Sequence, residues 1–183
     1  DFYSHHGISL KGILRSFYLN LKTKSLEYGG STITQQLVRN LFLTKEKTLS
    51  RKINEIILAL KLERKYSKNE ILTYYLNSIY YGEGNIGIRA AADYYFNKKL
   101  KDLTLAEAVA LASIPKAPAL YAPINKENLK RLKIRRNYLL LSLKEKGWIN
   151  EEEYQTALNE DIKIVESKYA GMIAPHFVIE VIN

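Results

Sequence analysis

A mainly α-helical domain is predicted from the sequence by three observations. Apolar residues recur at helical spacing, helix-capping residues stand before those runs, and strand patterns are few. Roughly eight helices joined by short loops account for this pattern. The chain has 183 residues, enough for one domain with a substantial core, and its four prolines and nine glycines exclude disordered and collagen-like classes.

The N-terminal part is predicted to hold three helices. The first is basic and amphipathic, with its apolar residues at Leu10, Ile13, Leu14, Phe17, Tyr18 and Leu21. A polar loop over Thr23–Gly30 follows, and Ser31 can cap a second helix over Thr32–Phe42. A second loop leads into a long helix over Ser50–Tyr66.

Capping boxes mark the helices of the middle region. Ser67–Glu70 begins a helix that stops at the glycine-rich stretch Gly82–Gly87, and a short helix over Ile88–Asn97 follows. Thr104–Glu107 begins another helix, which is predicted to end before Pro115 because the residue preceding a proline disfavours the α conformation. Gly82–Gly87 lacks the strand before it and the Lys-Ser/Thr ending of a nucleotide-binding loop, so we expect a turn.

The C-terminal part combines a proline segment with two helices. An extended crossing is predicted at Pro115, Pro118 and Pro123. A long helix is predicted to begin at Asn125 and to end at Gly147, and Asn150 caps the next one. Ile162–Val165 has the composition of a short strand.

The charge balance points to an anionic partner. Lys and Arg number 28 against 19 Asp and Glu, a net charge of +9, which suits nucleic acid, a phosphorylated substrate or an acidic lipid surface. The chain has no cysteine, which excludes disulfide scaffolds, cysteine–zinc sites and thiol catalysis. No apolar stretch approaches the roughly 20 residues that a membrane-spanning helix needs.

The first candidate functional residue is Glu55. On a helical wheel it lies on a second, partly apolar face of the long helix, and Arg51 and Lys52 precede it by about one helical turn. One interpretation is a structural ion pair. The other is a cluster of carboxylate and cations that faces a cleft, where charge can be stabilised during a reaction.

The second candidate region is Gly29–Asn40. A glycine pair and hydroxyl side chains stand at a helix N-terminus, where free N–H groups favour an anion such as phosphate. Polar side chains on adjoining faces can line a pocket, and these are Gln35, Gln36, Arg39 and Asn40. The alternative is an ordinary capped helix with a solvated side. His5 and His6 are adjacent, which makes them poor metal ligands as a pair.

Several spaced motifs occur in a fixed order over residues 1–138. They are Phe2-x-x-His5-x-Gly7, Gly29–Asn40, Arg51-Lys52-x-x-Glu55 with Leu62-Glu63, Ile71-Leu72-x-x-Tyr75-Leu76-Asn77 through Gly87, and Ala112–Pro118 with Arg135–Tyr138. Together they resemble the family 51 glycosyltransferases, the peptidoglycan glycosyltransferase domains of class A penicillin-binding proteins and their monofunctional relatives.

The resemblance implies a lysozyme-like larger helical lobe and a small membrane-associated jaw lobe. Both would belong to a single domain over 1–183, with roughly residues 10–45 contributing the jaw and its loop. The basic helix Leu10–Leu21 fits the jaw, because its apolar side chains can enter the outer leaflet of the bacterial cytoplasmic membrane. That places the domain on the periplasmic side, with the membrane anchor outside this fragment.

The resemblance also implies an inverting reaction. Lipid II, a disaccharide-pentapeptide on undecaprenyl pyrophosphate, would be polymerised into β-1,4 glycan strands with release of undecaprenyl pyrophosphate. The implied partners are lipid II, the growing glycan strand, the membrane outer leaflet and moenomycin-type phosphoglycolipid inhibitors, but no nucleic acid. No cofactor is required by the sequence; a divalent cation such as magnesium bridges the pyrophosphate in some relatives, but no carboxylate cluster here demands a metal.

Residue roles follow from the same motifs. Glu55 corresponds to the second catalytic glutamate, near the donor's pyrophosphate and sugar, and is not the base. Arg39, Arg51 and Lys52 are expected to contact the pyrophosphate. The donor pocket is expected to be shaped by Ser31, Thr32, Gln35, Gln36 and Asn40.

The remaining expected site residues are Asp1 and His5, beside the acceptor, and Tyr80, which supports the cleft floor. In the family the first motif opens with a glutamate that acts as the base. Its position falls three residues before Asp1, so we expect the chain to be truncated at its N-terminus, and as given to bind substrate but turn over poorly.

Two other functions stay open. A lysozyme-like, glycan-cleaving enzyme also uses a glutamate in a helical domain, although a sugar leaving group does not need the cations beside Glu55. A non-enzymatic basic helical module would bind a membrane or nucleic acid through its net positive charge.

Overall fold

The computed structural model describes residues 2–24, 29–43 and 48–165. Within these ranges the chain is helical, which confirms the mainly α prediction. The chain divides into two compact units, Asp1–Ile79 and Tyr80–Asn183. Asp1, which is expected to line the acceptor side, lies outside the described residues.

The first unit contains four described helices, α1 (Leu10–Thr23), α2 (Ile33–Phe42), α3 (Leu49–Lys65) and α4 (Lys68–Ser78). Helix α2 packs against both α3 and α4. The core between them is formed by Leu37 and Val38 of α2, Ala59 of α3 and Ile71 of α4, all of which are buried. This arrangement brings the polar residues of α2 against α3.

Side-chain caps explain where these helices begin. The α2 cap is Thr32 and not Ser31, because the Thr32 hydroxyl accepts a hydrogen bond from the Gln35 N–H while the Gln35 side chain accepts one from the Thr32 N–H. Ser67 and Glu70 form the predicted capping box of α4. The prediction for α4 is therefore confirmed, and that for α2 is wrong by one residue.

Helix α1 differs from the others in its exposure. Ser16 is its one buried residue in this structure, and its large apolar side chains are exposed: Leu10, Ile13, Leu14, Phe17, Tyr18 and Leu21. Gly30 lies directly against α1, where a Cβ atom would stand 2.9 Å from Ser16 Oγ and 3.0 Å from Ile13 Cα. Gly30 is thus in close contact with this helix, whereas a Cβ atom at Gly29 would meet nothing within 4 Å.

The second unit contains five described α-helices and two 3-10 turns. In chain order they are α5 (Ile88–Phe96), a 3-10 turn (Leu100–Asp102), α6 (Leu105–Ser113), a 3-10 turn (Ile114–Lys116), α7 (Pro118–Tyr121), α8 (Lys126–Glu145) and α9 (Glu151–Asn159). Helices α6, α8 and α9 enclose a core of Ala106, Val109, Leu140 and Ala157. The predicted caps Thr104, Asn125 and Asn150 are confirmed.

Two predictions for the second unit are wrong. The proline segment is not an extended crossing, because Pro115 lies in a 3-10 turn and Pro118 is the first residue of α7. Proline fits there because its fixed φ angle suits the first turn of a helix. Ile162–Val165 forms no strand; Val165 N–H donates instead to the Tyr95 carbonyl.

The glycine-rich stretch forms the predicted turn. Gly82 has φ +89°, and a Cβ atom there would stand 2.5 Å from Ala122 Cβ. Tyr80 and Ile86 form an isolated antiparallel bridge across the turn. None of the helices in the described part of the chain is both long enough and apolar enough to cross a membrane.

Candidate active site

The carboxylate of Glu55 is the centre of the candidate site. It lies in α3, and its side chain is 0% exposed. The ammonium of Lys52, one turn earlier, donates a hydrogen bond to Glu55 Oε1 and a second one, 2.8 Å long, to Ser31 Oγ. Arg39 of α2 places Nη1 4.0 Å from Glu55 Oε2. Three segments therefore meet at one buried negative charge.

The structure corrects two expectations about Glu55. Its carboxylate does not itself line an open cleft, because the side chain is 0% exposed beside Lys52 and Arg39. The second cation beside it is Arg39 and not Arg51, which forms no ion pair with Glu55 in the part of the chain that the structure describes. Helical spacing within α3 could not indicate Arg39, because that contact depends on the packing of α2 against α3.

The cations, and not the carboxylate, are the accessible part of the cluster. Lys52 is 40% exposed and Arg39 is 36% exposed, whereas Glu55 is buried. Two positive charges against one negative charge leave an excess of one. The cluster therefore presents a net positive charge on accessible side chains, which a buried carboxylate holds in place. Such an arrangement is suited to bind an anion that carries phosphate groups.

The residues at the start of α2 serve mainly to build the helix. Thr32 and Gln35 are buried and bond to one another in the capping box. The Thr32 hydroxyl also donates a 2.6 Å hydrogen bond to the Gly7 carbonyl, which ties the N-terminal segment to α2. Ser31 is half-buried and accepts the bond from Lys52. Of these three, Ser31 is the one in direct contact with the cation cluster.

Further along α2, Gln36 and Asn40 have different surroundings. The Gln36 side-chain carbonyl accepts a 3.3 Å hydrogen bond from the Tyr75 hydroxyl of α4, and Asn40 is exposed. Burial raises the pKa of the Tyr75 hydroxyl, and the positive charge of Arg39 partly offsets that effect. Tyr75 therefore stays a neutral hydrogen-bond donor at neutral pH.

The N-terminal segment places His5 against α4. His5 Nδ1 accepts a 3.2 Å hydrogen bond from the Gly7 N–H and lies 3.5 Å from Lys68 Nζ. Burial, followed by the positive charge of Lys68, holds the pKa of His5 below its usual value. Tyr80 belongs to the second unit, where its ring is exposed and its hydroxyl accepts a 3.4 Å hydrogen bond from the Gly84 N–H.

A second, partly buried ion pair was not predicted from the sequence. Lys68 Nζ lies 2.7 Å from Glu63 Oε2, and the Thr34 hydroxyl donates to Glu63 Oε1. Glu63 lies in the last turn of α3 and Lys68 begins α4, so the spacing rules for one helix do not apply to the pair. The Leu62-Glu63 dipeptide within the third motif was the one available signal.

Comparisons with known proteins show which family this chain resembles. A family model described as Transglycosylase matches residues 1–144. The chain is 48% identical to penicillin-binding protein 1F of Bacillus subtilis over 85% of its own length and 22% of that protein. It is 45% identical to penicillin-binding protein 1A of Aquifex aeolicus over 92% of its own length and 23% of that protein.

The fold resembles a crystal structure of penicillin-binding protein 1A from Haemophilus influenzae. The TM-score is 0.51 at 30% sequence identity, over 82% of this chain and 18% of the other. The chain spans about a fifth of the length of the curated relatives it matches, which carry it as one part of a longer protein.

The family model covers well over half of the chain, and the buried glutamate with its two cations lies within the matched residues. The chain belongs to the transglycosylase family, the family 51 glycosyltransferases. The expected mainly α, lysozyme-like fold is confirmed. The jaw over residues 10–45 and the individual residue roles stay predictions.

Proposed function

We propose that this chain polymerises lipid II into β-1,4 glycan strands, with inversion at the donor's anomeric carbon and release of undecaprenyl pyrophosphate. The observation that carries this proposal is the Lys52 ammonium, held between Glu55 and Ser31 with Arg39 on the other side of the carboxylate. Family membership limits the reaction to glycosyl transfer. The cation cluster supports a pyrophosphate as the leaving group.

In the proposed reaction the acceptor's 4-hydroxyl oxygen attacks the donor's anomeric carbon. The bond between that carbon and the pyrophosphate oxygen breaks, and its electron pair leaves with the pyrophosphate. The hydroxyl proton passes to a base, which the family places in a glutamate three residues before Asp1. Lys52 and Arg39 offset the negative charge that grows on the departing pyrophosphate, and Arg51 is placed with them by the motif.

Glu55 acts through these cations. Its carboxylate is buried and bonded to Lys52, so a glycosyl acceptor has no direct access to it as a base. It fixes the ammonium of Lys52 and the guanidinium of Arg39 within reach of one anion. Preorganised charges of this kind need no rearrangement when the leaving group becomes negative.

Lipid II brings its substrate sugar to the membrane surface, and α1 is suited to meet that surface. Its exposed apolar side chains can enter the outer leaflet on the periplasmic side, while Lys11, Arg15 and Lys22 meet lipid phosphates.

Moenomycin-type phosphoglycolipids combine a phosphate with a lipid tail and would compete with lipid II for Lys52 and Arg39. Lys52 and Arg39 can supply positive charge at the pyrophosphate. In the described residues no group of three His, Asp or Glu side chains could hold a metal ion.

The test is polymerisation of labelled lipid II by the chain extended upstream to include the family's glutamate. We expect the unchanged sequence to make glycan polymer and Glu55→Gln to lose polymerisation by about a hundredfold or more, because the cations lose their fixed position. The substitution keeps the shape of the side chain, and Lys52 can turn to water, so we expect a loss of only about 1–3 kcal/mol in the free energy of unfolding.

Glu152→Gln on exposed α9 is the matched control and should leave both quantities unchanged. Normal turnover by Glu55→Gln would contradict the assigned role. Incubation of the chain with glycan strands but no lipid II distinguishes polymerisation from hydrolysis. Shortening of those strands would favour the lysozyme-like alternative.

A further inference from the structure

We infer that Glu63 and Lys68 are positioning residues, which fix the orientation and tautomer of His5 and hold the Phe2–Gly7 segment in place. This inference rests on the proposed function, because that segment carries the family's first motif toward the acceptor. The contacts of Glu63 and Lys68 are separate from the Glu55 cluster and involve four segments of the first unit.

Glu63 is the fixed point of this second cluster. Its side chain is 6% exposed, and its carboxylate oxygens lie 2.7 Å from Lys68 Nζ. The Thr34 hydroxyl of α2 donates to Glu63 Oε1 at 2.5 Å. A nearly buried carboxylate with three such contacts holds the Lys68 ammonium at one place, because a hydrogen bond between charged groups is stronger than one between neutral groups.

Lys68 extends this fixed charge to the N-terminal segment. Its ammonium, on a side chain that is 17% exposed, lies 3.5 Å from His5 Nδ1 and 4.7 Å from the centre of the Phe2 ring. An ammonium at that distance from an aromatic face is attracted to it. One lysine therefore contacts a carboxylate, an imidazole and an aromatic ring.

Backbone contacts hold the end of the same segment. Gly7 has φ +87°, and a Cβ atom there would stand 3.1 Å from the Ala59 carbonyl oxygen and 3.3 Å from Glu63 Cγ. The Gly7 carbonyl accepts the hydrogen bond from Thr32. The segment is therefore fixed against α3 at Gly7, and at Phe2 and His5 by Lys68.

These contacts specify the tautomer of His5. The Gly7 N–H donates to Nδ1, and the Lys68 ammonium, which can only donate, faces the same nitrogen. A ring nitrogen that faces two donors must carry its lone pair, so the proton of the neutral ring lies on Nε2. His5 is thereby presented as an Nε2–H donor, and this is the form available to a substrate oxygen.

Burial and the surrounding charges together favour the neutral imidazole ring of His5. Burial contributes most to the low pKa of His5, Lys68 of α4 comes next, and Glu63 of α3 acts in the opposite direction. His6 acts in the same direction as Lys68. Removal of Lys68 should therefore raise the pKa of His5, and removal of the Glu63 charge should lower it further.

Nitrogen-15 NMR of the imidazole rings tests this inference in the chain itself. His5→Gln assigns the His5 signals among the three histidines. We expect the Nε2–H tautomer at neutral pH and a titration midpoint below that of an ordinary histidine. Lys68→Met should raise the midpoint and weaken the tautomer preference, and Glu63→Gln should lower the midpoint.

Opposite shifts of the His5 titration midpoint in Lys68→Met and Glu63→Gln distinguish positioning from a general loss of structure. A general loss of structure would move the His5 midpoint of both variants toward that of an ordinary histidine. Lys61→Met on exposed α3 surface is the matched control, and Lys68→Arg should retain the Nε2–H tautomer. An unchanged His5 titration in folded Lys68→Met would overturn the inference. If Glu63→Gln does not fold, Lys68→Met and Lys68→Arg still decide.

Turnover gives an independent readout. In the chain extended to include the upstream glutamate, Lys68→Met should lower kcat about tenfold to a hundredfold, with unchanged affinity for a pyrophosphate-lipid mimic. Unchanged kcat would overturn the positioning role. If the unsubstituted extended chain makes no polymer, the proposed function fails, and the NMR titrations still decide how His5 is held.

Discussion

Lys52 is the residue on which the electrostatics of the site depend. Its ammonium bonds to Glu55 and Ser31, yet the side chain remains 40% exposed. A buried carboxylate alone would be costly, and an exposed lysine alone would be mobile and weakly attracting. The pair combines a fixed position with access to an anion, which is the property that pyrophosphate recognition requires.

Thr32 connects the cap of α2 to the N-terminal segment. Its hydroxyl accepts from the Gln35 N–H and donates to the Gly7 carbonyl, and the residue is buried. Thr32→Val keeps the shape of the side chain but leaves both partners without this bond. We expect a loss of about 2–4 kcal/mol in the free energy of unfolding, measured by urea denaturation.

Thr73→Val is the control for Thr32→Val, because its hydroxyl bonds to the Asn69 carbonyl on the exposed side of α4. That change should cost well under about 1 kcal/mol. Thr32→Ser keeps the hydroxyl and should restore most of the stability. Equal losses for the two valine variants would show that the Thr32 hydroxyl has no special structural role.

At the scale of the elements, α2 determines the geometry of the site. It packs against α3 and α4, supplies Arg39 to Glu55, and begins with the Thr32 cap beside Ser31. The site is thus formed between two packed helices and does not depend on a single loop. This explains why Glu55 is buried although it belongs to the candidate site.

Helix α1 has no comparable cover for its apolar face in the described structure. We expect the chain to bind vesicles that contain phosphatidylglycerol more tightly than vesicles of phosphatidylcholine alone, because α1 is both apolar and basic. Leu14→Asp or Phe17→Asp should weaken this binding about tenfold or more, since an apolar group that enters the interface is replaced by a charge. Co-sedimentation with the vesicles measures the effect.

Ile134→Asp on α8 is the matched control, because Ile134 is 62% exposed and lies in the second unit. It should leave vesicle binding unchanged. A stronger effect at Ile134 than at Leu14 would place the membrane contact on the second unit instead of α1.

Local signals in the sequence were sufficient for most of the helices. The capping boxes at Ser67, Thr104 and Asn150 depend on residues three positions apart, so they could be predicted without knowledge of the tertiary structure. The proline segment was harder, because proline is compatible with both an extended chain and the first turn of a helix. The 3-10 turn and α7 therefore could not be inferred from the prolines alone.

The contacts that make the site chemically specific were less predictable. Lys52 and Glu55 are one turn apart, and their pairing followed from helical spacing. The contact of Arg39 with Glu55 and that of Lys68 with Glu63 join different helices. Such contacts depend on how the helices pack, which a single sequence does not specify at the level of individual side chains.

On the scale of the whole molecule, the expected site residues are concentrated in the first unit, apart from Tyr80. The second unit has its own core between α6, α8 and α9. The chain's net charge of +9 is of the sign that a pyrophosphate-linked substrate at an anionic membrane surface requires. Charge, helix α1 and the cation cluster thus favour the same kind of ligand.

The most direct measurement is the affinity of the chain for a soluble sugar-pyrophosphate-lipid analogue, compared with that of Lys52→Ala. We expect binding not to require the upstream glutamate, so the chain can be used as it is. We expect Lys52→Ala to weaken binding about tenfold to a hundredfold, in line with the loss of a charge-assisted contact, and Lys61→Ala to leave binding unchanged. Equal affinity of Lys52→Ala and the unchanged chain would contradict the assignment of this cluster to the pyrophosphate.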